Sequence, residues 1–222
     1  MGGVSAGAFI PGVSGVKDSP TGTFATYGSQ AAAWSGYTAY FSDVGIGGAF
    51  LYSDGIRWRP VNGSVVLKNT VSPVTNNAAP KIVMDYATIL GGLIGDGDIL
   101  QVDMFKERSG GTSDTDTTDF LLGTVNTTLG TSLGVSTGVL TTTTIQAALQ
   151  YRFMKQSATT LKNISIPGGI GLGGSTSAIV AAVTVPNMNT QTTYLQVSSD
   201  LTTAGGEVVT LRGYTVTWIC GS

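Results

Sequence analysis

The chain has 222 residues, of which 41% are hydrophobic and only 11% charged, with a net charge of −2 and no histidine. That charge gives no electrostatic footprint for nucleic acid, whose phosphates must be met by clustered Lys and Arg. The missing histidine excludes Ser-His-Asp and Cys-His triads and histidine-based zinc sites, and the single cysteine, Cys220, excludes an intrachain disulfide, a cysteine zinc site and an iron–sulfur cluster.

Glycine and threonine each number 32, and glutamate occurs only at Glu107 and Glu207. This vocabulary disfavours helices and suits strands joined by tight turns. With so few charges, much of the surface must be Ser, Thr, Asn and Gly. Such a surface fits a subunit covered by neighbours, and it equally fits a neutral secreted β-domain.

Residues 1–33 carry little charge beyond Lys17 and Asp18 and show no sustained period. The opening Met1-Gly2-Gly3-Val4-Ser5-Ala6 lacks the basic and apolar regions of a signal peptide, and Ala6 breaks a myristoylation pattern. No apolar run approaches the roughly 20 residues that span a bilayer, so no membrane insertion is expected, and synthesis in a cytoplasm without an export signal is. A segment of this composition buries too little surface to fold alone. We read it as an extended arm that orders on a partner, anchored by its large apolar residues Phe9, Ile10 and Phe24. The alternative is an arm folded back on its own domain.

Residues 34–71 read as a small β-meander. Strands at 37–41, 49–52, 56–59 and 64–67 are separated by the Gly-rich turn Asp43–Gly48, by Ser53-Asp54-Gly55 and by Asn62-Gly63, with Pro60 ending the third strand. Residues 72–80, with Pro73 and Pro80, read as a linker. Beyond it, strands are expected near 81–90, 98–108, 117–125, 144–156, 159–166, 177–185, 192–199 and 207–220. The last alternates cleanly, Tyr214, Val216 and Trp218 against Thr215 and Thr217. The longest apolar run, Ala178–Val185, reads as a buried strand, and Thr144–Tyr151, the one helix-compatible stretch, reads as strand. The expected fold is all-β: an extended N-terminal arm (1–33), a β-meander (34–71) and a jelly-roll-like antiparallel β-sandwich (72–222).

Few residues offer chemistry. Gly169–Gly174 superficially suggests a dinucleotide loop, but its glycines are misplaced and no helix pattern follows, so no cofactor is expected. Asp96/Asp98 and Asp114/Asp116/Asp119 are oxygen clusters of the kind calcium uses, without the twelfth-position Glu of an EF-hand. No metal site is assigned to them. Glu107, Asp103 and Asp54 are carboxylates available in principle for glycoside hydrolysis, but nothing pairs two of them. The aromatics Trp34, Tyr37, Tyr52 and Trp58 are candidate receptor or glycan contacts by stacking. Arg57/Arg59 and Lys106/Arg108 read as solvated strand charges, and Cys220 as a half-buried, inert thiol.

The segment Phe41–Gly63, with its Asp43-Val44-Gly45, Gly47-Gly48, Ser53-Asp54-Gly55, Trp58 and Pro60-Val61-Asn62-Gly63, resembles a hairpin of tailed-bacteriophage fibre and minor structural proteins. Weaker echoes of the trimeric β-sandwich tips of that family lie at Gly97–Val102, Phe120–Thr124, Val185–Met188 and Tyr214–Trp218, so the resemblance spans about 40–222. It implies a virion protein without catalytic residues: a short head or tail fibre, made in the host cytoplasm and released by lysis. It would attach to capsid, portal or tail through its arm and display a homotrimeric sandwich toward host-surface glycan or protein. The same resemblance leaves open a capsid decoration protein, and a glycan-degrading tailspike-like enzyme.

Overall fold

A computed structural model describes residues 21–70, 72–77, 81–110, 114–140, 144–164, 175–177, 182–201 and 206–221, with backbone alone at 114–115, 134–140, 144–147 and 175–177. Phe9 and Ile10 lie outside the described residues.

Four strands form a small N-terminal sheet: β1 (Thr21–Gly22), β2 (Thr38–Phe41), β3 (Ala49–Ser53) and β4 (Trp58–Pro60), in the order β1-β2-β3-β4. β1 runs parallel to β2, and the remaining pairs are antiparallel hairpins. Between β1 and β2 come the one-turn helix α1 (Phe24–Tyr27) and a 3₁₀ stretch, Gly28–Trp34. Thr23 makes no side-chain cap for α1. The orphan amides of Phe24 and Ala25 donate instead to the Asp43 carboxylate in the β2–β3 turn, at 2.5 and 3.3 Å. Phe24 is buried against Phe41, rings 5.7 Å apart, and Phe41 against Trp58, 4.9 Å apart. Each such side chain removed from water contributes on the order of 1.5–3 kcal/mol.

The part of the arm from Thr21 to Ala33 is therefore folded onto the chain itself, contrary to the expected boundary at 33. The pattern was hidden because α1 and the 3₁₀ stretch are too short to show a helical period.

The remaining strands make a two-sheet sandwich. They are β5 (Ser64–Thr70), β6 (Val74–Asn76), β7 (Ile82–Ile89), β8 (Ile99–Ser109), β9 (Asp114–Gly123), β10 (Thr131–Leu140), β11 (Thr144–Ser157), β12 (Thr160–Asn163), β13 (Ser175–Ser177), β14 (Val183–Thr184), β15 (Thr193–Leu201) and β16 (Val208–Ile219). One sheet runs β14-β12-β11-β8-β16-β5, with β6 also on β16, and the other β13-β10-β9-β15-β7. Without the short additions β12, β13 and β14, the orders are β11-β8-β16-β5/β6 and β10-β9-β15-β7, every pairing antiparallel. The chain crosses between sheets in the double Greek-key winding of a jelly roll, as the sequence led us to expect.

Four local expectations change. Ser64–Thr70, read as the end of the meander, pairs with β16 and belongs to the sandwich. The linker 72–80 contains β6. β10 was unread because Gly134 and Gly138 interrupt its alternation. Of the apolar run 178–185, residues 178–181 lie outside the described residues, while Val183–Thr184 is the edge strand β14.

The core follows the pleat. Leu100, Val102 and Met104 face inward from β8, Phe120 and Leu122 from β9, Leu195 and Val197 from β15, and Tyr214, Val216 and Trp218 from β16. Phe120 meets Tyr151 and Phe153 of β11 with ring centroids at 4.6 and 5.8 Å. Among the described residues no helix is long and apolar enough to cross a membrane.

Candidate interaction surface

A buried carboxylate helps to fasten the small sheet to the jelly roll. Asp98, in the turn before β8, accepts from Gly95 N at 2.7 Å and from Trp218 Nε1 at 2.9 Å on one oxygen, and from Gly221 N at 2.8 Å on the other. Arg57 Nη1 lies 3.0 Å from Oδ2, an ion-pair contact without hydrogen-bond alignment. Gly95 makes room for it: a Cβ there would overlap the Arg57 guanidinium. Arg59 pairs with Asp54 and reaches across to the C-terminal segment, donating to Gly221 O at 3.0 Å and approaching Cys220 Sγ at 3.3 Å.

The arginine pair read as solvated charge is thus a clasp between the two units. Burial alone would raise the Asp54 carboxyl, but the amides of Arg57 and Ile56 and the Arg59 guanidinium outweigh it and hold it at about 2. Burial, seconded by Asp98, pushes the Cys220 thiol up, and Arg59 opposes it only in part. An elevated thiol is a poor nucleophile.

Lys106 and Arg108 are also not solvated. They share the inward face of β8 with Val102 and Met104. Lys106 pairs with Asp116 and with Thr118 Oγ1 across the gap between the sheets, and Ser199 Oγ donates to Asp116 at 2.7 Å. Arg108 lies 3.4 Å from Glu207. The continuing alternation Val102-Met104-Lys106-Arg108 was the available signal for an inward, charged end of the core.

The acidic clusters have protein partners. Asp116 faces inward while Asp119, three residues on and so on the opposite face, pairs with Lys81 at 2.7 Å and accepts from Ser132 at 2.7 Å. The side chain of Asp114 lies outside the described residues. Asp96 pairs with Lys155 at 2.5 Å. Among the described residues no cluster of three or more acidic or cysteine side chains is placed to hold a metal ion.

Of the three carboxylates weighed for hydrolysis, Asp54 is tied to Arg59, Asp103 accepts from Gln101 and Gln150, and Glu107 from Arg212 at 2.9 Å. Asp103 and Glu107 share the outward face of β8, but four residues of strand separate them by roughly 13 Å. Glycosidase pairs sit about 5–9.5 Å apart.

The candidate aromatics divide. Trp58 is 1% exposed, with its Nε1 donating to Tyr27 O at 3.0 Å. It is core, and no ligand can stack on it in this fold. Phe24, at 3% exposure, is likewise part of the chain's own core and not an anchoring contact. Trp34 packs on that core and meets Tyr37 edge-on at 5.7 Å. Tyr52 is exposed on the outward face of β3.

Beside Tyr52 the structure adds two aromatics the sequence reading passed over. Phe50, two residues away on the same face, is 62% exposed, and Tyr40 stands opposite it on β2 with rings 5.1 Å apart. Nine large hydrophobic side chains are exposed among the described residues, and six of them, Ile46, Phe50, Tyr52, Ile56, Val61 and Val66, fall between residues 46 and 66. Where such side chains adjoin, as Phe50 and Tyr52 do on the outward face of β3 beside Tyr40, they mark a candidate interaction surface.

No protein-family model matches the chain, and no curated protein matches it. Among solved structures it is similar to the CBM2 module of the Lactobacillus casei BL23 phage J-1 evolved Dit, at 10% identity and a TM-score of 0.34, over 72% of this chain and 98% of that one. A likeness that distant carries no argument about function, which is left to the residues themselves.

Proposed function

We propose that the chain is a non-enzymatic structural virion protein of a tailed bacteriophage, a short homotrimeric fibre on head or tail. Residues 1–20, with Phe9 and Ile10, attach it to the particle, the outward face of the small sheet is covered by neighbouring copies or by the particle, and the jelly roll is displayed toward the host surface. The family resemblance of Phe41–Gly63 supplies the class of protein.

The observation that carries the reading is the placement of exposed apolar side chains. Five of the nine, Ile46, Phe50, Tyr52, Ile56 and Val61, lie on the small sheet or in its turns, in the unit that residues 1–20 join through β1, whose Thr21 pairs with Tyr40. A fibre whose base is covered and whose head is wet needs this distribution. The separation and pairing of the candidate carboxylates support a role without catalysis.

The test is incorporation. A chain lacking residues 1–20 keeps Phe24 and α1, so it should fold and stay soluble, yet be missing from purified particles when it replaces the full chain in the producing phage. Immunoblotting of particles reads the result, and normal copy number for the shortened chain would overturn the assignment of the arm.

A further inference from the structure

The two outer faces of the jelly roll differ. Over the sheet of β9 and β15, the loop 124–130 folds back: Gln196 Nε2 donates to the carbonyls of Val125 and Thr128 at 2.8 Å each, and its Oε1 accepts from Gly130 N at 3.0 Å. Leu121 is buried on that side. The face formed by β8, β11 and β16 is open, with Ala148, Gln150 and Arg152 all exposed.

On the open face, Phe105 is the one exposed large apolar side chain among the described residues, at 37%. Register places it between Ala148 on β11 and Gly213 on β16, so neither neighbouring strand raises a side chain beside its ring. The adjoining rows are polar and held in place. Gln150 Nε2 donates to Asp103 Oδ1 at 2.7 Å, Gln101 Nε2 to Asp103 Oδ2 at 2.9 Å, and Arg152 Nε to Gln101 Oε1 at 3.0 Å. Asp103 keeps further lone pairs, and the Gln150 amide keeps its carbonyl and a second N–H.

These features select a chemistry. A second protein would find, among the described residues, one exposed large apolar side chain here, where protein interfaces use several. Nucleic acid would find no cluster of positive charge, because Asp103 and Glu107 offset Arg152 and Arg212 and leave only Lys162 at the edge strand. An aromatic ring with a negative π face beside fixed carboxylate and amide groups suits a sugar, whose ring offers an apolar C–H patch flanked by hydroxyls. Phe105 and Asp103 are ~7 Å apart along the strand, a span one monosaccharide and its substituents can bridge.

We infer that this face binds an uncharged pyranose saccharide, Phe105 packing on the sugar's C–H face while Asp103 and Gln150 hydrogen-bond neighbouring hydroxyls. The inference rests on the proposed virion role only for the source of the sugar, the host surface.

The test applies the purified full chain to an array of neutral oligosaccharides built from glucose, galactose, mannose, rhamnose, N-acetylglucosamine and N-acetylgalactosamine, followed by calorimetry on those retained. At least one should bind, and Phe105→Ala should weaken it about tenfold with melting temperature and elution volume unchanged. Gln150→Ala, at an exposed position, serves as the second variant should Phe105→Ala disturb folding, and should also weaken binding. Binding to no array member, or binding indifferent to both substitutions, overturns the site. A change of oligomeric state in Phe105→Ala also overturns it, since the face would then lie between copies. The outcome is independent of particle incorporation: a chain that binds sugar but is absent from particles keeps this site and loses the virion role.

Discussion

The small sheet and the jelly roll distribute polarity in opposite ways. The small sheet has an aromatic core of Phe24, Phe41 and Trp58, yet leaves Phe50, Tyr52 and Val61 on its outside. The jelly roll buries Arg108, Asp116 and Glu207, holds Lys106 half-buried between its sheets, and sets amides, threonines and the paired charges Asp103, Glu107, Arg152 and Arg212 on its open face. A unit with apolar groups on both sides is built to be covered. A unit with a mainly polar outer face is suited to water. The arginine clasp at Asp98 joins the two, so loads on one pass to the other.

The largest effect is expected at that clasp. Asp98→Ala removes the acceptor for Trp218 Nε1, Gly95 N and Gly221 N and leaves Arg57 without its counter-charge. Loss of a buried charge of this kind costs about 3–5 kcal/mol, to be read by urea unfolding. A loss under about 1 kcal/mol would mean the two units do not depend on each other.

Inside the jelly roll, Lys106→Met strands the Asp116 carboxylate between the sheets and should cost about 3 kcal/mol. Adding Asp116→Leu should recover most of it, because a matched apolar pair has no ion to desolvate. If the double variant is no better than the single one, the pair is not a closed unit.

At the edge of the clasp, Asp54 contributes a pH-dependent share. Its carboxyl is at about 2 in the folded chain against about 3.9 when unfolded, so its stabilisation is full above about pH 4 and is lost as pH falls through 4 toward 2. Asp54→Asn should be less stable at neutral pH and should flatten the acid limb of the stability profile. An unchanged acid limb would place the titration elsewhere.

The smallest effect on stability is expected where the effect on assembly is greatest. Phe50→Ser with Tyr52→Ser changes an exposed face and should move folding stability by about 0.5 kcal/mol or less. By light scattering it should shift the proposed trimer to monomer. A wild-type chain that is monomeric at micromolar concentration would contradict the trimer itself.

The fold class was legible because period-two alternation and Gly/Asp turns are local signals: β16 shows both Tyr214-Val216-Trp218 and its threonines without any partner in view. The jelly-roll winding followed from strand number and spacing. What sequence did not reveal were outcomes decided by contacts far along the chain. Arg57 and Arg59 meet Asp98, Cys220 and Gly221, and Lys106 meets Asp116, so charges that look solvated in a local window are paired and half-buried by tertiary contacts. The same holds for the aromatics. Trp58 and Tyr52 look alike in sequence, but β4 turns Trp58 into the core while β3 turns Tyr52 outward, together with the unremarked Phe50. The open face around Phe105 was invisible for a further reason: its neighbours Ala148 and Gly213 come from strands β11 and β16, set by register alone.

The proposed attachment to a virion through residues 1–20 can be read from which lysines touch other virion proteins. Lysine cross-linking of purified virions, read by mass spectrometry, compares Lys17, in the segment that leads into the small sheet, with exposed Lys162 on β12 of the jelly roll. The account predicts links from Lys17 to other virion proteins and none from Lys162. Links to other virion proteins from Lys162, with Lys17 unlinked, would contradict it.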